Sequence, residues 1–110
     1  MADKSLLAIT IGLGAAGTAK LAGVQMTKDN FAKWGYPKGA RIAVGTIEVG
    51  LAAAALAAQK DPEARPVAAV GTLCAMSGAL ATHARAGDSP LEMIPAAALA
   101  AAGLVALIAG

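Results

Sequence analysis

Residues 93–110 read MIPAAALAAAGLVALIAG, and no charged side chain interrupts them. A helix of this composition has no polar face, which a helix on the surface of a soluble bundle needs. A bilayer core about 30 Å thick is crossed by roughly 20 helical residues. The stretch therefore predicts a transmembrane helix and decides against a soluble Ala-rich helical bundle, which is the alternative that the rest of the chain leaves open.

Three further apolar blocks of similar length come earlier in the chain, and charged segments separate them. The chain is 57% hydrophobic and 15% charged, whereas soluble domains are about 25% charged. Lipid offers no water to backbone groups, so each span must be a helix or part of a closed barrel. We predict an all-α protein, a four-transmembrane-helix up-down bundle that forms a single domain over residues 1–110. Its helices are expected at residues 5–25, 41–59, 66–84 and 92–110.

The distribution of basic residues predicts the orientation of this multi-pass protein. Five basic residues fall in the first and third loops and three on the opposite side. The positive-inside rule then places loops one and three in the cytoplasm, and the expected location is a bacterial cytoplasmic membrane. A net charge of +2 without a basic stripe indicates that the chain does not bind nucleic acid.

The first loop contains all the aromatic residues of the chain, which are Phe31, Trp34 and Tyr36. Trp and Tyr favour the membrane–water interface, so one interpretation is an interfacial anchor. The other interpretation is a lid, or a partly re-entrant segment, over a cavity between the helices. In that case Trp34 and Tyr36 would line the cavity.

Three titratable residues lie inside the apolar blocks or at their ends: Lys20, Glu48 and His83. Charges inside a membrane are expensive and are candidate functional residues by default. In an up-down bundle, loops one and three share a side, and a rise of 1.5 Å per residue puts all three side chains within reach of one layer. They are the candidate catalytic residues. The other expected pocket-lining residues are Gly17, Gly45 and Met76.

Three interpretations of these charges stay open. Lys20 and Glu48 could form a purely structural ion pair, with His83 bonded at the interface. All three could instead line a polar pocket for proton transfer or ligand binding, or Lys20 could snorkel to the interface. One His, one Cys and scattered carboxylates are not a recognisable ligand set, so we expect no metal site.

Residues 12–17, GLGAAG, match the G-x-G-x-x-G dinucleotide fingerprint. That motif needs a strand before it and a parallel sheet around it, whereas this stretch lies midway along a predicted span. We interpret Gly14 and Gly17 as a strip of close packing that lets another helix approach and shelter Lys20. Gly12 lies on another face.

Several elements together resemble the DoxX-like family of small integral membrane proteins. They are Gly17-x-x-Lys20-Leu21, Phe31-x-x-Trp34-Gly35-Tyr36-Pro37, Gly45-x-x-Glu48, Met76-x-x-Ala79, His83 and Pro95. The resemblance implies a four-helix membrane bundle and includes Lys20, Glu48 and His83 in its pattern. It also implies a relation to membrane subunits of thiosulfate:quinone oxidoreductase, to membrane partners in oxidative-stress complexes and to receptor-assembly chaperones.

Three functions follow as hypotheses. The first is an accessory subunit of membrane-associated, quinone-linked redox chemistry, with a membrane or peripheral redox partner and quinone as the candidate cofactor. The second is a membrane-embedded acid–base enzyme, an isomerase, cyclase or epoxide-opening enzyme acting on a lipophilic small molecule, in which Glu48 and His83 exchange protons and Lys20 tunes Glu48. The third is a scaffold or chaperone. All three contact the lipid bilayer, and self-association into a homo-oligomer stays open.

Overall fold

The computed structural model describes residues 3–109, and all of their regular structure is helical. A single 3₁₀ turn, Pro62–Ala64, leads into α4. Four of the five α-helices are long and apolar enough to cross a membrane. The predicted all-α, four-helix bundle is therefore confirmed. The α-helices are α1 Lys4–Ala22, α2 Gln25–Lys33, α3 Lys38–Ala58, α4 Arg65–Ala86 and α5 Pro90–Ala109.

The four long helices form a ring in which each helix packs against its two neighbours. Helix α1 packs on α3, α3 on α4, α4 on α5, and α5 returns to α1. Alanine and glycine fill much of the interior, and Ala55 and Ala68 are fully buried there. Large aliphatic side chains point outward: Ile11 is 63% exposed and Ile108 is 73% exposed. This arrangement suits a bundle in lipid, where small residues bring helices together and large ones meet acyl chains.

The helix boundaries differ from the predicted ones at α1. This helix ends at Ala22 rather than at residue 25, because Gly23 adopts the left-handed conformation with φ of 73°. Gly23 N–H donates to the carbonyl of Lys20 and Val24 N–H to that of Ala19, which is the Schellman pattern that closes a helix. The other ends differ by one to three residues, and the predicted end of the last helix at residue 110 lies outside the described residues.

The second difference is α2, a helix within the segment that the sequence analysis treated as a charged loop. Its nine residues are mostly polar and bury only Thr27 and Phe31, one turn apart on one face. A helix so short and polar does not span a bilayer. It packs on α1 and α3, and the residues that follow it reach α4, so this segment crosses one end of the bundle.

The opposite end of the bundle is tied by Asp3 and Arg65. The Asp3 carboxylate accepts hydrogen bonds from the backbone of Ser5 and Leu6 and so caps α1. It also lies 2.7 Å from Arg65 Nη1, while Arg65 Nε donates to the Ala106 carbonyl at 2.6 Å. The hydrogen bond from Ser5, and then the one from Arg65, holds the pKa of Asp3 well below its usual range. Helices α1, α4 and α5 are thus joined at this end.

The crossing of α1 and α3 is built on Gly17 and Gly45. A Cβ on Gly17 would lie 2.8 Å from the Gly45 carbonyl oxygen and 2.9 Å from the Val49 backbone nitrogen. A Cβ on Gly14 would be in ordinary contact with Ala52, and one on Gly12 would clash with Leu99 of α5. The prediction that Gly14 and Gly17 face the partner helix while Gly12 faces elsewhere is therefore confirmed.

Replacing Gly17 by alanine should force α1 and α3 apart, because the new methyl group meets backbone atoms that cannot move aside. We expect a loss of stability of about 1–3 kcal/mol, as in other overpacked contacts. Unfolding by SDS in mixed micelles, followed by circular dichroism, measures it. Gly50→Ala is the control, since a Cβ there meets nothing within 4 Å and alanine is the better helix former by about 0.5–1 kcal/mol. Equal stability of the two variants would contradict the role of the crossing.

Candidate functional site

A cavity of about 810 Å³ lies between the four long helices and extends to the end that α2 crosses. Every long helix contributes to its wall, and most lining side chains are apolar, such as Leu13, Leu51 and Leu99. Its volume is in the usual range for sites that enclose a small organic molecule, roughly 300–1,000 Å³. Its polar lining groups, which include Lys20, Glu48 and His83, lie toward the α2 end, and Asp88 and Lys33 lie behind this wall.

Lys20 and Glu48 form an ion pair on this wall, with Nζ 2.7 Å from Oε1. The glycine crossing creates it: Gly45 lies against the Cβ of Lys20, and Glu48 follows one turn later on the same face of α3. The Glu48 side chain is 6% exposed and the Lys20 side chain 17%. Within residues 3–109 Oε1 has no polar partner other than the Lys20 ammonium. Lys20 is paired rather than snorkelling, and the pair also borders the cavity.

His83 lies in the last turn of α4 and is oriented by Asp88. Its Nδ1 is 2.7 Å from Asp88 Oδ2, and because an ionised carboxylate only accepts, Nδ1 carries a proton. The Trp34 ring packs edge-on against the imidazole, with centroids 5.2 Å apart. No hydrogen bond within the described residues involves Nε2. A histidine held in this way presents its second nitrogen as a defined proton donor or acceptor.

Asp88 is the centre of a polar network that the sequence analysis did not single out. Besides His83, it accepts from Lys33 Nζ at 2.7 Å and from Trp34 Nε1 at 3.0 Å. The hydrogen bond from Lys33, followed by those from His83 and Trp34, lowers the pKa of Asp88 to about 2. The same contact raises the pKa of Lys33. Gly87 is the residue in the sequence that could have indicated the position of Asp88. It adopts the left-handed conformation that ends α4, and the next N–H, that of Asp88, donates to the His83 carbonyl.

Phe31, Trp34 and Tyr36 form an aromatic cluster that is one wall of the cavity. Their ring centroids are 5.2–6.4 Å apart. Tyr36 Oη lies 3.0 Å from Thr82 Oγ1 and accepts from Arg85 Nη2 at 2.6 Å. The bond with Thr82, together with the nearby Arg85 charge, lowers the pKa of Tyr36. The cluster lies at one end of the bundle, which is compatible with an interfacial anchor. It also borders the cavity, which is compatible with a lid.

The predicted lining residues divide into two groups. Met76, Trp34 and Tyr36 border the cavity. Gly17 and Gly45 do not: they are buried at the α1–α3 crossing, where each lies against the other helix's backbone. Their contribution is to hold Lys20 and Glu48 together rather than to contact a ligand.

A cluster of potential metal ligands also exists, formed by His83, Asp88 and Glu92, whose ligand atoms lie within 4.8 Å of one another. The Lys33 ammonium lies between the two carboxylates, 2.7 Å from Asp88 and 3.7 Å from Glu92. An ammonium at this place supplies the positive charge that a cation would bring. The three side chains and Lys33 form a network of ion pairs without needing a metal. The expectation of no metal site remains a prediction.

Asp88→Asn should loosen the aromatic cluster from α4, because it removes the charge that binds Lys33 and orients His83. Trp34 is the only tryptophan of the chain, so its quenching by acrylamide measures the change directly and should increase. Glu92→Gln is the control: this carboxylate is more distant from Lys33 and half exposed. Quenching that is unchanged in Asp88→Asn would show that Asp88 does not hold the cluster.

The lowered pKa of Asp88 gives the same contact a defined pH dependence. Since the folded pKa is below the ordinary value of 3.8, the stabilisation is complete above that value and is lost as the pH falls through about 2. Acid titration of Trp34 quenching in the folded protein should therefore have its midpoint near the lower value. A midpoint near 3.8 would mean that Lys33 and His83 exert no effect on the carboxyl group.

Comparison with known proteins agrees with this architecture. A family model described as the DoxX-like family matches residues 5–110, which is nearly the whole chain. Neither the curated proteins nor the solved structures include a significant match. The match includes α2, every residue of the cavity wall and, apart from Lys4, all four membrane helices. From this match we conclude that the chain is a small integral membrane protein belonging to the DoxX-like family.

Proposed function

We propose that the cavity binds a lipophilic small molecule of the quinone type and that the protein is an accessory subunit of quinone-linked redox chemistry. The observation that carries the proposal is the combination of an apolar cavity of 810 Å³ with a few polar groups at one end of it. Such sites bury the body of a ligand in apolar contacts and orient it by a few polar ones. A quinone has this division, with carbonyl oxygens on a ring and an apolar tail.

The chain's own groups fit the two parts of such a ligand. Hydrogen-bond donors for carbonyl oxygens are available in the Lys20 ammonium, in the hydroxyls of Tyr36 and Thr82 and, when its Nε2 is protonated, in the His83 imidazole, all of which border the cavity. Leu13 and Leu51 supply the apolar wall farther along. When bound, a quinone would accept electrons from a partner oxidoreductase together with protons.

In this role the residues of the chain bind and handle protons, and the partner supplies the electrons. Glu48 and His83 can each hold or release a proton at the cavity wall, with Asp88 fixing the His83 tautomer. The aromatic cluster would act as a lid that limits access of water to the polar end. We further propose that the protein resides in a bacterial cytoplasmic membrane with the cluster on the cytoplasmic side, as the distribution of basic residues predicts.

Narrowing the cavity tests the binding proposal. Ala79→Leu projects three extra carbons from a lining position of α4, whereas Ala81→Leu adds them on an exposed face of the same helix and serves as the control. A short-chain quinone should quench Trp34 fluorescence saturably in the original chain and in the control. In Ala79→Leu the affinity should fall on the order of tenfold, equivalent to about 1.4 kcal/mol. Equal affinities, or quenching that never saturates, would refute the proposal.

A second candidate function is favoured by the orientation of His83. An Asp–His pair with a free Nε2, across a cavity from a buried carboxylate, is the arrangement of a general acid and base. The protein would then be a membrane-embedded isomerase, cyclase or epoxide-opening enzyme. Purification in mild detergent distinguishes the two functions. Co-purified quinone or an oxidoreductase favours the accessory subunit, and turnover of a lipophilic substrate by the isolated chain favours the enzyme.

Substitutions in the ion pair distinguish both functions from a scaffold. Glu48→Gln leaves Lys20 as an unpaired buried charge, so we expect it to lower the free energy of unfolding by about 3–5 kcal/mol. The double variant Lys20→Met/Glu48→Leu removes both charges and should lower the free energy of unfolding much less. SDS unfolding measures both. If the site is functional, the double variant folds well but loses quinone binding or turnover. If the double variant keeps every measurable interaction, the scaffold role is the correct one.

A further inference from the structure

A second, smaller cavity of about 330 Å³ lies between α2 and the start of α3. Its lining is basic and aromatic, and it does not include the residues of the ion pair or the His83–Asp88 network. Phe31 and Tyr36 separate it from the larger cavity and border both. The cationic members of its lining are Lys28, Lys38 and Arg41.

The most informative residue of this basic pocket is Arg41, which is only 5% exposed. Its Nη1 donates to the Lys20 carbonyl at the end of α1, which leaves most of its five N–H donors for other acceptors. Within residues 3–109 no carboxylate lies within ion-pair distance of Arg41, Lys28 or Lys38. A buried guanidinium without a counter-charge is costly, and an anion bound beside it would lower that cost.

The Lys28 side chain lies close to Arg41, beside Gly23. Lys28 Nζ and Arg41 Nη1 lie 3.5 Å and 3.4 Å from the position that a Cβ on Gly23 would occupy. Like charges held this close repel each other unless an anion lies between them. Gly23 is in the left-handed conformation that ends α1, and its lack of a side chain leaves room for the Lys28 side chain beside Arg41.

The start of α3 adds to the positive potential. The first helical turn has no acidic residue, and Pro37, at the cap position, offers no side-chain hydrogen bond to the free N–H groups. Helix N-termini favour anions and disfavour cations, yet Lys38 and Arg41 are both placed here. An anion in the pocket would offset both unfavourable features.

We propose that this basic pocket binds a phosphate group, for which the headgroup of an anionic phospholipid is the nearest source. The pocket lies at the end of the membrane helices beside Tyr36, at the level where interfacial aromatic residues and lipid headgroups meet. Arginine and lysine side chains between membrane helices are suited to phosphate, because arginine binds it through paired N–H donors and lysine as a point charge. This site is independent of the quinone proposal, and its ligand would enter from the bilayer surface.

Arg41 also has a structural role, since it satisfies a carbonyl at the end of α1, so its replacement would not separate a loss of binding from a loss of folding. The test therefore uses the two exposed lysines. Lys28→Gln/Lys38→Gln removes two charges from the pocket, and Lys4→Gln/Lys60→Gln removes two exposed charges from the opposite end of the bundle. Each variant is purified in an uncharged detergent and titrated with phosphatidylglycerol, with phosphatidylcholine and with inorganic phosphate, and thermal unfolding and native mass spectrometry report binding.

We expect phosphatidylglycerol to stabilise the original chain and the control pair, with phosphatidylcholine much less effective. The pocket variant should lose affinity for phosphatidylglycerol by roughly tenfold to thirtyfold, as expected for two interfacial lysines. Stabilisation by inorganic phosphate that is lost in the pocket variant would support the same site with free phosphate as its ligand. The proposal is overturned if neither phosphate source binds, or if both double variants respond alike.

Discussion

The close approach of α1 and α3 at Gly17 and Gly45 is the contact on which the site depends. Because neither residue has a side chain, the two backbones come close enough for Lys20 to lie against α3 and to reach Glu48. An ammonium and a carboxylate inside a membrane are each costly alone and acceptable as a pair. A wider crossing would separate them and leave two uncompensated charges, so the polar end of the cavity follows from the absence of two methyl groups.

The two ends of the bundle are built differently. At the end near the termini, Arg65 joins the cap of α1 to the last turn of α5 with short hydrogen bonds. At the other end Lys20 and Arg41 tie α1 to α3, and α2 and the aromatic cluster connect these helices to the turn between α4 and α5 through Asp88. The first end is suited to holding the helices in register. The second borders both cavities, and it contains the polar groups of the candidate site.

Much of the fold was predictable because a bilayer allows few solutions for four apolar stretches of helical length. Lys20, Glu48 and His83 were predictable as well, since ionisable residues inside such stretches are conspicuous. Helix α2 was not, because its polar residues carry no pattern beyond Thr27 and Phe31, and only the turn at Gly23 separates it from α1. Asp88 was missed because it lies in a charged loop, and the glycine cap that directs it back to His83 is a local turn that hydropathy periodicity does not reveal.

The glycine crossings divide the molecule into two helical hairpins. Helices α1 and α3 meet at Gly17 and Gly45, and α4 and α5 meet at Gly103, where a Cβ would lie 3.3 Å from the Ala69 carbonyl oxygen. The larger cavity lies between these hairpins, and both contribute to its wall. Any molecule that fills it contacts both halves and binds only their assembled form. Ligand binding and helix assembly are therefore thermodynamically linked. A ligand raises the free energy of unfolding of the bundle once its concentration exceeds its dissociation constant.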